Sequence, residues 1–268
     1  MPVERVIVCV KPVPDPKEWG RLSMDPETKT LIREGIPSVL NPLDRNALEA
    51  ALQVKDEQGA EVVVVSMAPP FCAPLLQEAL AMGADRAVLI SDRVFAGCDT
   101  LATARVLSAA LRKLDPFDLV LCGNSTLDGC TAQVPSQVAE MMGIPNVMHV
   151  ARMELRGARE LVLFQRIEMG ALVLEAETPV LLSFTKEVNE PRLISFLGIL
   201  DAERKPLSVW GREELGLHPL SVGLGGSPTK MAGLLLRRRE RRGERIEGSD
   251  PEEAARRIAD KMVDMGIL

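Results

Sequence analysis

Short apolar runs alternate with longer amphipathic stretches along the chain as far as Ile144. The apolar runs have the composition of strands buried on both faces, and they cover Arg5–Val10, Glu61–Met67, Arg86–Ile90 and Asp118–Cys122. Between them, apolar side chains recur at helical spacing over Pro42–Gln58, Pro74–Met82, Thr100–Leu114 and Val134–Met142. This alternation predicts an α/β fold with a doubly wound parallel sheet of the adenine-nucleotide-binding, Rossmann-like kind and right-handed crossovers.

Local signals set the limits of these elements. Asn41 suits a helix N-cap, Pro42 the first helical position, and Asp44 places a negative charge in the first turn. Gly59 suits the end of the same helix. The polar segment from Met24 to Gly35 is expected to form a small excursion or a hairpin.

The pattern changes after Ile144. Strand-like runs separated by Arg156-Gly157 and Met169-Gly170 predict hairpins that extend the sheet or form a β layer beside it. From Glu190 to about Glu247 the chain carries prolines, glycines and charges with little periodicity, which predicts an arm lying on a partner. A last helix is expected after Asp250. We therefore expect a nucleotide-binding domain over residues 1–189 and a C-terminal arm over residues 190–268.

Composition narrows the functional classes. The 268 residues carry a net charge of −6 and few aromatic side chains, which argues against a nucleic-acid partner. No apolar run approaches the ~20 residues of a membrane span, and the N-terminus resembles a strand and not a signal peptide. The five cysteines form no CxxC pair, which favours a reduced, cytoplasmic protein without a structural metal or Fe–S cluster.

Polar loops follow each of the four predicted strands. Ligands of open parallel sheets bind beyond the carboxyl ends of the strands, where the strand order reverses. The four loops should meet at that edge, and they read CVKPVPD, SMAPP, ISDRVFAGCDT and CGNSTLDGCTAQV. The sequence therefore predicts a ligand pocket at this edge.

The fourth loop carries the clearest binding signal. Its backbone N–H groups from about Gly129 to Val134 open a helix and lack intrahelical acceptors, so they can bind a phosphate. Gly123 and Gly129 allow the backbone to approach a ligand closely. Polar side chains can add contacts from Ser125, Asp128, Thr131 and Gln133. The loop is neither a GxGxxG nor a Walker A sequence, and an ordinary capped turn is the alternative.

The other loops add candidates with structural alternatives. Asp99 and Thr100 either cap the third helix or also face the pocket, and Asn41 either caps the first helix or also contacts an adenine edge. Val8–Val10 and Val65–Met67 would supply apolar walls and backbone groups for the adenine. No nucleophile–base pair is visible in the sequence, which favours a binding or redox module whose cofactor performs the chemistry.

These residues together resemble the β subunit of electron-transfer flavoproteins. The matching segments are spread over nearly the whole chain and include CVKPVPD, IPSVLNPLDRNALEAAL, VVVVSMAPP, EALAMGADRAVLISD, FAGCDTLATA, LDGCTAQV, FTKEVNEPRL and SPTKM. DRVFAGCDT and DGCTAQV are closer to the electron-bifurcating branch of that family. Two positions depart from that branch, because Asn124 stands where arginine is usual and Cys130 where aspartate is usual. These departures put bifurcation in doubt, although a cofactor could still bind, and Cys130 is expected to face the loop interior.

The resemblance implies a heterodimer with an FAD-carrying α subunit. The β subunit would bind either AMP or, in the bifurcating branch, a second FAD that NADH reduces. Electrons would then pass to an acyl-CoA dehydrogenase or similar partner and to ferredoxin or flavodoxin. The implied cofactor contacts are Cys9, Val10, Lys11, Asn41, Ser66, Asp99, Thr100, Gly123, Asp128, Thr131, Gln133 and Val134.

Two C-terminal features also follow from the resemblance. The segment Asn189–Leu207 is similar to the family's recognition loop, with Leu197 as the candidate partner anchor; the alternative is that Leu197 covers the chain's own core. The basic run from Leu234 to Arg245 is either a solvated surface or a contact to the α subunit. An ATP-binding module of the universal-stress type, and an AMP-carrying scaffold subunit, are the competing functional hypotheses.

Overall fold

The computed structural model describes residues 2–25, 31–32, 35–230, 243, 245 and 250–267. By its contacts the chain divides into two units, Met1–Ala232 and Gly233–Leu268. The basic run from Leu234 lies almost wholly outside the described residues. The predicted domain boundary after residue 189 stays a prediction.

The first unit alternates strands and helices in the predicted order. Its strands are β1 (Arg5–Cys9), β2 (Pro12–Pro14), β3 (Ser23–Met24), β4 (Leu31–Ile32), β5 (Ser38–Leu40), β6 (Glu61–Met67), β7 (Arg86–Ile90), β8 (Leu119–Gly123), β9 (Asn146–Arg156), β10 (Glu160–Ile167), β11 (Gly170–Glu177), β12 (Val180–Phe184) and β13 (Leu207–Trp210). Its helices are α1 (Pro42–Gln58), α2 (Ala73–Met82), α3 (Thr100–Leu114), α4 (Val134–Met142), α5 (Phe196–Ala202) and α6 (Gly223–Gly226).

A nine-stranded sheet forms the centre of this unit, in the order β11-β10-β9-β12-β8-β1-β6-β7-β13. In this spatial order, every pair of neighbours from β9 through to β13 is parallel. β10 pairs antiparallel with β9 on one side and with β11 on the other. The chain moves from β1 to β6 and β7 on one side and then returns to β8 on the other side of β1. The strand order therefore reverses between β1 and β8, which is where such sheets bind ligands.

Helices cover both faces of the sheet, which confirms the doubly wound architecture. α1 and α2 pack on one face with Val6 and Val8 of β1. α3 and α4 pack on the other face with Ile7 of β1 and Val63 of β6. Successive residues of β1 thus point into different cores, because side chains alternate across a strand.

The hairpin region extends the sheet and does not form a separate layer. β9 is irregular, because its register shifts against β12 between Leu182 and Phe184 and against β10 between Phe164 and Gln165. β12 returns to the sheet as a parallel strand beside β8. The polar excursion is a hairpin in which β3 pairs antiparallel with β4.

The segment from residue 190 to 230 is more ordered than its sequence pattern indicates. It contains α5, which packs against α2, and β13, which joins the sheet beside β7. The expectation of an irregular arm is therefore wrong for this part of the segment. β13 is short and half-exposed, so it lacks the apolar pattern that announces a buried strand.

The second unit contains helix α7 (Pro251–Asp264), at the predicted position. Asp250 caps it by accepting a hydrogen bond from the N–H of Glu252. Within the described residues, no helix is both long and apolar enough to cross a membrane.

Candidate functional site

The loops after β1 and β8 meet where the strand order reverses. Val10 extends the contact of β1 with β6, because its N–H donates to the carbonyl of Val65 at 2.9 Å. The carbonyl of Lys11 then accepts the N–H of Asn41, also at 2.9 Å. These bonds bring three groups of predicted contacts, Cys9–Lys11, Asn41 and Ser66, to one edge of the sheet.

Asp44 joins these loops, and its role was missed by the sequence analysis. Its side chain is buried, and its two carboxylate oxygens accept the N–H groups of Lys11 at 2.8 Å and Gly123 at 2.9 Å. Burial raises the pKa of this carboxyl to about 6, although the same hydrogen bonds oppose the rise. An aspartate in the first turn of a helix usually only interacts favourably with the helix dipole. The residues near Asp44 in the sequence therefore do not indicate that it links Lys11 to Gly123.

Gly123 is needed for the same close approach. A Cβ atom at this position would lie 2.5 Å from Asp44 Oδ1 and 2.7 Å from the Cβ of Leu43. The space beside Gly123 is therefore filled by the first turn of α1, and not by room for a ligand as the sequence suggested. The glycine instead brings the end of β8 against α1.

Asn41 braces the fourth loop from the protein interior. It occupies the N-cap position of α1, but its side chain makes no capping hydrogen bond. Its Nδ2 donates to the carbonyl of Ser125 at 2.9 Å, and its Oδ1 accepts the N–H of Leu127 at 3.3 Å. The fully buried Asn41 thereby holds the loop 124–133 onto α1.

Lys11 brings a positive charge to the fourth loop. Its Nζ lies 2.7 Å from Asp128 Oδ1, and that same oxygen accepts the N–H of Gly129 at 2.7 Å. Asp128 therefore braces the loop and pairs with Lys11. The cation stays partly exposed at the edge of the sheet, where it can also meet an anionic ligand.

Four successive backbone donors lie at the start of α4. Within the described part of the chain, the N–H groups of Thr131, Ala132, Gln133 and Val134 donate to no protein acceptor. Cys130 and Ala132 have φ values of 47° and 54°, and a left-handed Ala132 is followed by a right-handed Gln133 before the helix begins. Such turns form anion-binding concavities of N–H groups, which fits a phosphate. Cys130 is exposed and does not face the loop interior, contrary to expectation.

The third loop meets the fourth through Thr100. Its hydroxyl donates to Oε1 of Gln133 at 3.0 Å. Asp99 is occupied by the chain itself, because it caps α3 through the N–H of Ala102 and accepts both the N–H and the hydroxyl of Thr229. Burial disfavours the Asp99 carboxylate, but these hydrogen bonds outweigh it and lower its pKa. The capping role of Asp99 is therefore shown, and a ligand contact stays a prediction.

Ser66 and Cys9 complete the edge. Ser66 is fully buried near the end of β6, and within the described residues its hydroxyl has no hydrogen-bond partner. An unpaired buried hydroxyl costs stability unless a ligand or water satisfies it, so Ser66 fits a site that receives a polar ligand. At Cys9, burial and then the nearby charge of Asp44 raise the thiol pKa to about 12. Cys9 is thus a neutral thiol and contributes packing and its backbone.

Leu197 lies apart from this edge, on α5. Its side chain is 70% exposed, so it does not cover the core of the described chain. The segment before α5 is fastened to α1, because Arg192 donates to Glu49 from its backbone N–H and from its guanidinium, and also to Asp56. Asn189 and Asn46 exchange further hydrogen bonds beside it. Leu197 is thus presented to solvent from an anchored segment.

Comparison with known proteins identifies the family. A sequence profile of the electron transfer flavoprotein domain matches residues 28–215. The chain belongs to the electron transfer flavoprotein family. The predicted resemblance is thereby confirmed, and membership of the family indicates a role in flavin-linked electron transfer.

Several curated relatives are similar over most of their length. The caffeyl-CoA reductase-Etf complex subunit CarD of Acetobacterium woodii is 43% identical over 98% of this chain and 100% of the relative. An electron transfer flavoprotein subunit beta of Thermoanaerobacterium thermosaccharolyticum is 44% identical over 92% of this chain and 94% of the relative. The acryloyl-CoA reductase electron transfer subunit gamma of Anaerotignum propionicum is 38% identical over 98% of this chain and 100% of the relative.

Proposed function

We propose that the chain is a β subunit that binds FAD at the edge where β1 meets β8. One observation carries the proposal: in the described part of the chain, four backbone N–H groups without protein acceptors lie in the loop that Lys11 reaches, at the point where the strand order reverses. A pyrophosphate needs this combination of aligned donors and a cation. The family of flavoproteins to which the chain belongs supplies the cofactor class.

The described residues divide the work of holding the cofactor. Residues 131–134 and Lys11 would bind the phosphates, and Cys9, Val10 and Ser66 would border the adenine. Gly123 and Asn41 act indirectly by fixing the loop, together with Asp44. Thr100 and Gln133 hold the third and fourth loops together. Bound FAD would supply the electron-carrying chemistry, while these residues bind it and restrict its position.

The proposal includes an α subunit and further redox partners. The relatives include a subunit beta and subunits of two CoA-ester reductase systems, which supports a heterodimer delivering electrons to or from an acyl-CoA dehydrogenase or similar enzyme. NADH as donor and ferredoxin or flavodoxin as a second acceptor belong to the bifurcating form of this proposal. We place the protein in the cytoplasm, since its five cysteines are free thiols. Residues 190–268 would provide the recognition segment and the arm that contacts the α subunit.

Counting the cofactors tests the proposed function. The chain would be purified together with its proposed α subunit, and the nucleotides released by denaturation would be identified by chromatography and by their absorption spectra. Two FAD molecules per heterodimer are expected. One FAD with one AMP would instead show that this chain is an AMP-carrying subunit. A colourless complex that binds only ATP would contradict both.

Replacing Leu197 with alanine is expected to slow electron transfer to the redox partner by about tenfold, because an exposed apolar anchor of an interface typically contributes 1–2 kcal/mol or more. The flavin content should not change, since Leu197 lies apart from the candidate site. Leu172→Ala is the matched control, because Leu172 is an exposed leucine on β11, outside residues 190–268, with 46% exposure against 70% for Leu197. Stopped-flow rates with the partner dehydrogenase give the comparison. Equal rates for the two variants would remove Leu197 from the interface.

A further inference from the structure

Asn124 and His149 form a pair at the same edge of the sheet. Asn124 is the first residue after β8, and its Nδ2 lies 2.8 Å from Nδ1 of His149. Its Oδ1 accepts the hydroxyl of Ser125 at 3.4 Å, which leaves the amide nitrogen to donate to the imidazole. Nδ1 of His149 is therefore the acceptor, and the ring proton lies on Nε2 as a hydrogen-bond donor.

His149 is held in an unfavourable backbone conformation. Its φ of 56° lies in the left-handed region, which is rare for residues other than glycine. The residue sits where the register of β9 shifts, and its N–H donates to the hydroxyl of Ser183 at 3.3 Å. Its side chain is exposed. Bulges of this kind redirect a side chain, and strained residues cluster at binding sites.

The position of His149 along the edge sets the length of ligand that can reach it. Gly123 ends β8 and lies beside Phe184, which ends β12, and Phe184 lies beside Val150 of β9. His149 therefore lies level with the carboxyl ends of β8 and β12. β9 is three strands from β1, or about 14 Å at a spacing of about 4.8 Å. A mononucleotide with its base beside β1 and its phosphate at residues 131–134 ends at this phosphate site, and it does not extend as far as β9. Only a ligand that continues beyond the phosphates can extend to His149.

We propose that His149, oriented by Asn124, donates a hydrogen bond to the half of a dinucleotide that lies beyond the phosphates. This inference rests on the proposed function, and it assigns to this pair the preference for FAD over AMP. An Nε2–H donor suits the carbonyl and hydroxyl oxygens of a flavin and its ribityl chain. The pair thereby favours the longer ligand, FAD. The N–H groups of residues 131–134 and Lys11 bind the phosphates that FAD and AMP have in common.

The test compares FAD and AMP binding to the full-length chain and three variants by calorimetric titration. His149→Asn removes the Nε2 donor but tolerates the left-handed conformation, and Asn124→Ala removes the group that orients the ring. Both variants should bind FAD about three- to tenfold more weakly and bind AMP as the parent chain does. His218→Ala, at the chain's other histidine, is the control and should bind both ligands normally.

Each outcome decides the proposal. Weaker FAD binding with unchanged AMP binding in both variants supports it. Equal losses for FAD and AMP would show that the pair only supports the loop, and no loss for either ligand would show that His149 does not touch the cofactor; both results overturn the inference while leaving the proposed nucleotide site intact. If the parent chain binds neither nucleotide, the proposed function fails and the inference fails with it.

Discussion

Replacing Asp44 with alanine is expected to lower the free energy of unfolding by about 2–5 kcal/mol. The substitution leaves the N–H groups of Lys11 and Gly123 without their acceptor, and an unsatisfied buried donor costs about 1–3 kcal/mol. No other carboxylate in the described chain connects β1, α1 and β8 in this way. Denaturant unfolding of the purified chain measures the loss. Glu57→Ala is the control, because Glu57 is an exposed carboxylate on the same helix.

The stability lost in Asp44→Ala should also depend on pH, and the raised pKa of Asp44 sets the direction of this dependence. Burial raises this pKa from 3.8 to about 6, so the native state binds the proton more tightly than the unfolded state does. The bound proton therefore stabilises the native state fully at pH values below the pKa that Asp44 has in the unfolded chain. This stabilisation is lost as the pH rises through the pKa that Asp44 has in the native state. The effect of Asp44→Ala should therefore be larger at about pH 5 than at about pH 8, by roughly 1–2 kcal/mol. A loss that equals that of Glu57→Ala at both pH values would contradict the bridge.

Replacing Lys11 with methionine is expected to weaken nucleotide binding by about 10- to 150-fold, because a hydrogen bond to a charged group contributes about 1.5–3 kcal/mol. The variant also leaves the Asp128 carboxylate beside the phosphates without the Lys11 cation. FAD and AMP should both be affected, since the phosphates are common to them. Calorimetric titration at fixed ionic strength measures the change.

Lys17→Met is the matched control for this experiment. It changes the net charge by the same amount at an exposed position after β2. If the two variants bind nucleotide equally well, Lys11 does not contact the phosphates and the candidate site must lie elsewhere. A difference that disappears at high salt would instead indicate long-range attraction and not a direct contact.

The elements that the sequence predicted most accurately are those whose signals are local. The limits of α3 and α4, and of β6 and β7, agree with the prediction almost to the residue, because caps, glycines and apolar periodicity lie within each segment. β1 and α2 differ by one residue at one end, and β8 is shifted by one residue at both ends. The convergence of the four loops also followed from the sequence, since a parallel sheet brings the ends of its strands together.

The features that could not be predicted depend on contacts between distant segments. Asp44 and Gly123 are 79 residues apart, and nothing near either residue shows that they meet. Asn41 looked like a helix cap, but its side chain turns to a loop more than 80 residues away. The φ of His149 arises from the changed register of β9 against β12, which no local pattern encodes.

Helix α1 makes two separate sets of contacts along its length. Its first turn, with Asn41 and Asp44, fixes the loops at the ends of β1 and β8, and Glu49 and Asp56 further along fix the segment that leads to α5. Eight residues separate Asn41 from Glu49, a span of about 12 Å in a helix. Inserting a single residue between them would rotate one set by about 100° relative to the other. The helix therefore acts as a spacer of fixed length and phase, which leaves very little room for insertions between Asn41 and Glu49.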